Sequence, residues 1–369
     1  MASLSFFGPL SGQSGQSGQS GQSGQSGQFE GLYDWQGQSA IARILSRDGV
    51  VGAWQDIKSP PAHHKSAPAA ADLWAAQPRL HIFSSELLSG VTFDSFEGSA
   101  AVEYRERTAS RVITLVHLFR PTEADFAKQL EFVRNYAALR LDRSSEIMAQ
   151  IGDIISFLAM VHGLRPDRHV HTLELLGVAL HATFVIEMRM KHALACRRPD
   201  EYSPQIQAMI VTPGHGTLPS GHATEAFVAA FLLDSLSRAS RDPGGVPGPV
   251  DTGSRSFVQL MRIAERIAIN RTVAGVHFPA DSAAGFVLAR TLGEFFLAKF
   301  SGAGPVSARS FDGRGFASDF DYETFWTLAD ESAVPGKKIC KSDEPVPVAR
   351  SPLLNHLWLQ AAAEWKTIG

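Results

Sequence analysis

The spacing of apolar residues predicts helices over most of the middle of the chain. Apolar positions recur at intervals of three and four residues, the period of one helix face. The segments with this pattern are 100–119, 123–141, 144–162, 167–196, 221–240, 254–269 and 282–300. Short Pro- and Gly-containing turns separate them. Alternating apolar and polar runs, which would indicate strands, are scarce. The pattern therefore predicts an all-α fold, a helical bundle whose sites lie between facing helices.

The pattern also divides the chain into four segments. Residues 11–28 are six consecutive Ser-Gly-Gln triplets, which have no apolar side chain to bury, so residues 1–28 are predicted to be a short leader with a flexible linker. Residues 29–95 are irregular and rich in Pro, Gly and Ser. Residues 96–300 form the predicted helical catalytic domain. Residues 301–369 are a predicted loop-like tail with a terminal amphipathic helix that packs on the body.

Composition narrows the classes of function. The chain has 34 Lys and Arg against 37 Asp and Glu, a formal net charge of −3, which gives no basic surface for nucleic acid. Its two cysteines, Cys196 and Cys340, cannot build a disulfide framework. The first residues lack a secretory signal pattern, and acidic residues interrupt the apolar runs 172–190 and 223–236. These features predict a cytoplasmic protein without a membrane span.

Three clusters of polar residues stand out against the apolar background. In the first, Lys191 and Arg198 lie seven residues apart, two turns along one helix face. Pro199 ends that helix and leaves the planar guanidinium of Arg198 able to fold over an anion. A basic pair at a helix end commonly does no more than complement the helix dipole, so this cluster is weak support by itself.

The second cluster is Pro219-Ser220-Gly221-His222, directly before an apolar run. Ser220 is a plausible helix N-cap, and Gly221 allows the backbone to approach a ligand closely. The N-terminus of a helix directs free backbone amides at an anion. His222 would then stand beside an anion site, although an ordinary N-cap with an exposed His is an equally good interpretation.

The third cluster contains Arg271, His277 and Asp281. A carboxylate four residues after a His can hold one imidazole nitrogen protonated and direct the other. A structural His–Asp pair would explain this spacing too. Taken together, however, the three clusters supply the cations, amides, hydroxyl and imidazoles that one tetrahedral oxyanion needs.

This combination resembles a known superfamily. The order Lys-x6-Arg-Pro, then Pro-Ser-Gly-His, then Arg-x5-His-x3-Asp is similar to the signature of the type 2 phosphatidic acid phosphatases and vanadium haloperoxidases. The resemblance covers about residues 190–285 and implies their helical bundle. Asn270 departs from the pattern, because the third motif usually has Ser there.

The resemblance implies roles for individual residues. In the phosphatases, the match of His277 attacks phosphorus to form a phosphohistidine, and the match of His222 protonates the leaving alcohol. In the haloperoxidases, the same set of anion-binding residues, called the cage below, binds vanadate. There the match of His277 binds vanadium, that of His222 is the acid–base group, and that of Lys191 polarises the bound peroxide. Asp281 completes the catalytic set by holding His277. The anion-binding residues in both cases are Lys191, Arg198, Ser220, Gly221, Arg271 and His277.

The residues beside the anion site point in both directions. His215 lies seven residues before His222, where haloperoxidases that use bromide or iodide tend to carry a His, so it is the candidate halide residue. Against this, Met188 stands where several haloperoxidases have Trp, so it does not match a halide pocket. The preferred prediction is a vanadate-dependent haloperoxidase that oxidises bromide or iodide with hydrogen peroxide and halogenates a small organic acceptor.

Two alternatives stay open. One is a soluble acid phosphatase of the same superfamily, which binds phosphate and acts through a phosphohistidine. The other is a non-catalytic assembly protein that binds phosphate or vanadate. The resemblance also implies a homo-oligomer.

Overall fold

A computed structural model describes residues 46–47, 68–106, 111–332 and 336–366. The predicted leader and Ser-Gly-Gln linker, residues 1–28, lie outside the described residues, and so does most of the irregular segment that follows. The fold below is that of the part from residue 68 onward.

Helices form most of the described part, and the long ones surround the core. Their bounds are α1 Ala76–Leu87, α2 Glu123–Tyr136, α3 Arg140–Gly152, α4 Ile155–His162, α5 Val170–Leu194, α6 Pro199–Tyr202, α7 Gly221–Ala239, α8 Arg255–Val273, α9 Pro279–Ser301, α10 Tyr322–Leu328 and α11 Pro352–Glu364. Short 3-10 helices span Pro68–Leu73, Ala137–Leu139 and Pro204–Ile206.

The prediction of an all-α fold is wrong. Within the described residues, five strands form one mixed sheet in the order β1-β2-β3-β4-β5. The strands are β1 Val91–Phe96, β2 Ser99–Arg105, β3 Val112–Phe119, β4 Val306–Asp312 and β5 Ile339–Val346. Only β3 and β4 run parallel, and the other neighbours are antiparallel. The sheet therefore joins a meander before the helical core to an antiparallel pair of strands after it.

The predicted helix 100–119 is in fact the β2–β3 pair. Short apolar runs fit a helix or a buried strand equally well, so periodicity alone cannot separate them. The run in β3 is Val-Ile-Thr-Leu-Val-His-Leu-Phe, whose β-branched residues favour strand. β2 is almost wholly buried on both faces, so the alternation that identifies a one-sided strand is missing.

The core lies among α5, α7, α8 and α9. Nearly every residue of α7 and α9 is buried, which is why these helices lack a polar face. Phe227 and Phe286 meet edge to face across the two helices, with ring centroids 4.9 Å apart. The tail helix α11 packs on this core through Trp358, whose side chain is fully buried.

Helix α5 also bears on the prediction that no segment spans a membrane. Among the described residues, the stretch Val170–Tyr202 is long and apolar enough to span one, and 67% of its most apolar window is buried inside the protein. The bent pair Glu123–Gly152 and Ile155–His162, with a 98° angle between its parts, passes the same test as one unit. Core helices of soluble proteins pass this test too, so it is weak support for a span.

Candidate active site

Lys191 lies in the last turn of α5, and its ammonium group is buried beneath the loop before α7. The helix ends at Leu194, and Ala195 then takes a left-handed conformation with φ 48°. The ammonium nitrogen donates to the carbonyls of Gly216 (3.3 Å), Thr217 (3.1 Å) and Pro219 (2.5 Å). Lys191 therefore fixes the loop that carries the second motif.

Arg198 extends from the N-cap position of the short helix α6 and joins the loop to the third motif. Nε donates to the His215 carbonyl (3.2 Å) and Nη1 to the Val276 carbonyl (2.9 Å). Nη2 lies 3.1 Å from His215 Nδ1 and 3.4 Å from the Gly216 carbonyl. Nη1 also lies 3.1 Å from His277 Nε2, so the guanidinium stands beside the imidazole of the third motif.

His277 is held by its other ring nitrogen. Nδ1 lies 3.0 Å from Asp281 Oδ2, and Thr217 Oγ1 donates to the same carboxylate oxygen at 2.5 Å. The Phe278 amide donates to it as well (2.8 Å). Because Nδ1 faces a carboxylate, it carries the proton, and Nε2 is left with its lone pair beside Arg198.

His222 and Arg271 meet at the end of α3. His222 Nε2 lies 3.1 Å from the Gln150 carbonyl and 3.5 Å from Arg271 Nη1. Arg271 Nη2 donates to the Ile147 carbonyl (3.3 Å) and to Gln150 Oε1 (3.1 Å). The last turn of α3 therefore supports both residues.

Ser220 and Gly221 begin α7 against α9 and α5. The Ser220 amide donates to the Asp281 carbonyl (2.9 Å), which ties the starts of α7 and α9 together. The Ser220 hydroxyl is at the N-cap position but caps no amide. A Cβ at Gly221 would lie 2.7 Å from Glu187 Oε2, so a side chain there would displace that buried carboxyl group.

Burial governs the charges of the two histidines. Burial, followed by the charges of Arg198 and Lys191, lowers the pKa of His277 well below its ordinary value. Burial and the charge of Arg271 do the same to the pKa of His222. Both imidazoles are therefore neutral at pH 7, which leaves His277 Nε2 available as a nucleophile.

The cations respond to burial in the same direction. Burial lowers the pKa of Arg198 and that of Arg271 to about 10 each. Burial and the neighbouring charge of Arg198 lower the pKa of Lys191, while burial raises the pKa of Glu187. Crowded cations disfavour one another's charge, and an oxyanion among them would favour it.

Two buried donors are available for such an oxyanion. In the described part of the chain, neither Ser220 Oγ nor Arg271 Nε has a hydrogen-bond partner. Leaving buried donors unpaired is costly, and a tetrahedral oxyanion would satisfy them. The residues present therefore fit a tetrahedral oxyanion such as phosphate or vanadate.

The remaining candidates lie close to the cage. His215 contacts Arg198, as described above. Cys196 is buried, and burial raises the pKa of its thiol to about 12, so it is not a reactive thiolate. The structure thus brings the residues of all three motifs and His215 together.

The sequence interpretation missed three residues of this neighbourhood: Thr217, Glu187 and Gln150. Glu187 precedes Lys191 by four residues, a spacing that places both on one helix face, and this was an available signal. Thr217 lies in an irregular loop, and Gln150 lies on a helix outside all three motifs. No spacing rule connects either of them to the cage.

Comparison with known proteins agrees with the motif pattern. Residues 172–303 match the PAP2 superfamily. This segment is a PAP2 superfamily domain. It contains all the motif residues, from Lys191 to Asp281.

Two relatives were found for the PAP2 domain. Both are described as decaprenylphosphoryl-5-phosphoribose phosphatase, from two strains of Mycobacterium tuberculosis. Each is 29% identical over 136 residues, which is 37% of this chain and 66% of the relative. The matched part thus falls just short of two thirds of either relative. These similarities favour an enzyme of the phosphatase branch over the predicted haloperoxidase.

Proposed function

We propose that the protein is a phosphatase that hydrolyses a phosphate monoester through a phosphohistidine at His277. One observation carries this proposal: the buried, neutral His277 has Nδ1 fixed by Asp281 and Nε2 3.1 Å from Arg198 Nη1. An oriented nucleophile beside a fixed cation is the arrangement that phosphoryl transfer requires. The phosphatase name of both relatives supports the same reaction.

In the first step, His277 Nε2 attacks phosphorus while the bond from phosphorus to the ester oxygen breaks. Lys191, Arg198 and Arg271 stabilise the negative charge on the equatorial oxygens, together with the Ser220 hydroxyl and the amides at the start of α7. His222 is protonated to the imidazolium when the bound phosphate dianion offsets the charge of Arg271. It gives that added proton to the leaving oxygen, which departs as the alcohol, and becomes neutral.

In the second step, a water molecule attacks the phosphohistidine. His222, now neutral, takes a proton from the water and becomes the imidazolium again, the nitrogen–phosphorus bond breaks, and inorganic phosphate leaves. His277 regains its lone pair and His222 its proton, so the cycle closes. Asp281 and Thr217 act throughout by holding Nδ1 of His277.

A vanadate-dependent haloperoxidase is the second candidate, and the position of His215 favours it. His215 Nδ1 lies 3.1 Å from Arg198 Nη2, beside the residues that would hold vanadate. Bound vanadate would supply peroxide activation, with His277 as the vanadium ligand. The match to phosphatases gives this reaction less support than hydrolysis.

The test compares both activities in one preparation. We expect the protein to hydrolyse p-nitrophenyl phosphate, with vanadate as a competitive inhibitor. We expect the protein incubated with orthovanadate, then with hydrogen peroxide and bromide, to leave a dimedone-type acceptor unbrominated. Bromination without phosphate release would replace the proposal by the haloperoxidase. If the protein shows neither activity but still binds vanadate, the anion-binding interpretation replaces both.

A further inference from the structure

Gln150 contacts two residues of the cage, although it belongs to none of the three motifs. It lies in the last turn of α3 and is 1% exposed. Its side-chain Oε1 accepts from Arg271 Nη2 at 3.1 Å, and its main-chain carbonyl lies 3.1 Å from His222 Nε2. We propose that Gln150 is a positioning residue of the reaction, which directs Arg271 through its amide and fixes the ring of His222 by holding its Nε2 proton through its carbonyl.

The contacts of Arg271 show why its direction depends on α3. Within the described residues, both bonds of Nη2 go to that helix, at Ile147 and Gln150. Nη1 is 3.5 Å from His222 Nε2 and Nε has no partner in the described part. The Nε hydrogen is therefore the donor left for an oxyanion, because Nη2 is held by α3.

The carbonyl contact decides where His222 carries its proton. A carbonyl oxygen only accepts, so a ring nitrogen 3.1 Å from it is favoured as the donor. The proton of neutral His222 therefore lies on Nε2, between the Gln150 carbonyl and Arg271. Because this proton stays on the carbonyl, Nδ1 is the nitrogen that takes up and releases the proton of the proposed reaction.

The amide of Gln150 is itself fixed in one orientation. Its Nε2 donates to Glu146 Oε1 (3.1 Å), and Asn270 Nδ2 donates to Gln150 Oε1 (2.9 Å). Turning the amide over would place its NH2 group against the donors of Asn270 and Arg271. Asn270, where the family's motif usually has Ser, thus serves to orient Gln150.

The inference rests on the proposed phosphatase activity, and its test separates the two. Gln150→Leu removes the amide, and Gln150→Glu places a carboxylate on Arg271. Asn355→Leu is the control, because it also removes a partly buried side-chain amide. That amide donates a hydrogen bond to the Phe300 carbonyl (2.8 Å), at the far end of α9. For each variant we would measure p-nitrophenyl phosphate hydrolysis, inorganic phosphate binding by calorimetry, and thermal unfolding.

We expect Gln150→Leu to weaken phosphate binding about tenfold and to lower kcat, the size of effect that follows loss of a hydrogen bond to a charged group. Gln150→Glu should bind phosphate more weakly still at pH 7.5. The phosphate affinity of Gln150→Glu, relative to that of the wild type, should recover as the pH falls, because a protonated Glu has the shape of Gln and no charge. Asn355→Leu should lose thermal stability and keep wild-type phosphate binding.

Folded Gln150→Leu with phosphate binding and kcat within twofold of the wild type would overturn the inference and leave the phosphatase standing. Absence of hydrolysis by the wild-type protein would overturn the phosphatase proposal. Phosphate binding by the Gln150 variants would still test whether Gln150 directs Arg271. Nitrogen-15 NMR of the ring of His222, assigned with His222→Gln, tests the carbonyl contact directly. A proton on Nδ1 instead of Nε2 would overturn that part.

Discussion

At the scale of single residues, the two histidines of the cage differ in their supports. His277 is held by the Asp281 carboxylate and presents its lone pair to Arg198. His222 is held at Nε2 by a main-chain carbonyl, which leaves Nδ1 to exchange a proton. One support suits a nucleophile and the other a proton donor, and this difference is the basis for assigning separate roles.

The first prediction separates these roles by substitution. His277→Ala should abolish both hydrolysis and tight vanadate binding, since it removes the nitrogen that would bond to phosphorus or vanadium. His222→Ala should lower kcat by about 10²- to 10⁴-fold and keep most of the vanadate affinity. His117→Ala, in strand β3, is the control and should change neither. Vanadate inhibition constants measure the binding, and equal losses of affinity in the two cage variants would show that the roles are wrong.

The second prediction concerns pH and stability. The pKa of His222 is lowered well below 6.5 in the folded protein, so the unfolded chain takes up a proton that the folded one does not. Stability should therefore fall as the pH drops below about 6.5, by up to about 1.4 kcal/mol per pH unit for this residue, until the folded pKa is reached. Urea unfolding at pH 7.5 and 5.5 should show a smaller drop in His222→Gln. An identical drop would mean that His222 is not buried in its neutral form.

The sequence predicts the cage residues because a motif fixes their order. It does not predict the residues that hold the two histidines of the cage in place. Thr217 and Gln150 touch His277 and His222 through folding of distant segments. Gln150 precedes His222 by 72 residues and lies outside the matched range 172–303. No local pattern carries information about such a contact.

At the scale of elements, the cage depends on how closely α7 approaches α9. A Cβ at Gly285 of α9 would lie 2.9 Å from the main-chain oxygen of Ser220 and 3.1 Å from the Ala223 Cβ. Backbone atoms of a packed helix cannot move aside cheaply. Gly285 therefore sets the position of the α7 N-terminus, and with it the amides proposed to bind phosphate.

The third prediction tests this approach. Gly285→Ala should destabilise the protein by about 1–3 kcal/mol and weaken phosphate binding, because Ser220 must shift. Gly248→Ala, whose added Cβ meets nothing within 4 Å, should change stability by no more than about 0.5 kcal/mol. Urea unfolding and phosphate titration of both variants provide the measurement. Wild-type stability in Gly285→Ala would show that the two helices have room to separate.

The helix boundaries near the cage illustrate the limit of periodicity. The pattern predicts one helix over 144–162, whereas the chain bends between α3 and α4. Asp153 interrupts the helix with an extended conformation, φ −155° and ψ 103°, and accepts a hydrogen bond from the Ser156 amide (3.0 Å). Asp commonly forms such local bonds at helix starts, but the apolar spacing continues across the break and conceals it.

At the scale of the whole molecule, the strands of the sheet lie before and after the matched domain in the sequence. Strand β3 ends at Phe119 and β4 begins at Val306, so the sheet lies entirely outside residues 172–303. Arg309 of β4 joins it to the helices, since its guanidinium bonds both oxygens of Glu294 in α9 (2.8 and 2.9 Å) and Asp330 after α10 (3.1 Å). The fold class was wrong because the apolar spacing did not reveal these strands, and the family resemblance covers only the helical part.

The fourth prediction follows from this buried ion pair. The Arg309 side chain is 1% exposed. Arg309→Met would remove the two hydrogen bonds that its guanidinium donates to the Glu294 carboxylate. We expect a loss of about 3–5 kcal/mol in unfolding free energy. Arg314→Met breaks the Arg314–Asp312 pair, whose Arg side chain is 58% exposed, and should cost no more than about 1 kcal/mol. Similar losses in both variants would show that Arg309 does not anchor the sheet.

The most direct test of the account is to trap the covalent intermediate. Para-nitrophenol leaves without help from an acid, so His222→Ala mixed with phosphorus-32-labelled p-nitrophenyl phosphate should form the phosphoenzyme and hydrolyse it slowly. After rapid quenching in alkali, the account predicts label on His277 in this variant, less in the wild type, and none in His277→Ala. Steady phosphate release by the wild type with no labelled protein in either form, or with label on another residue, would contradict it.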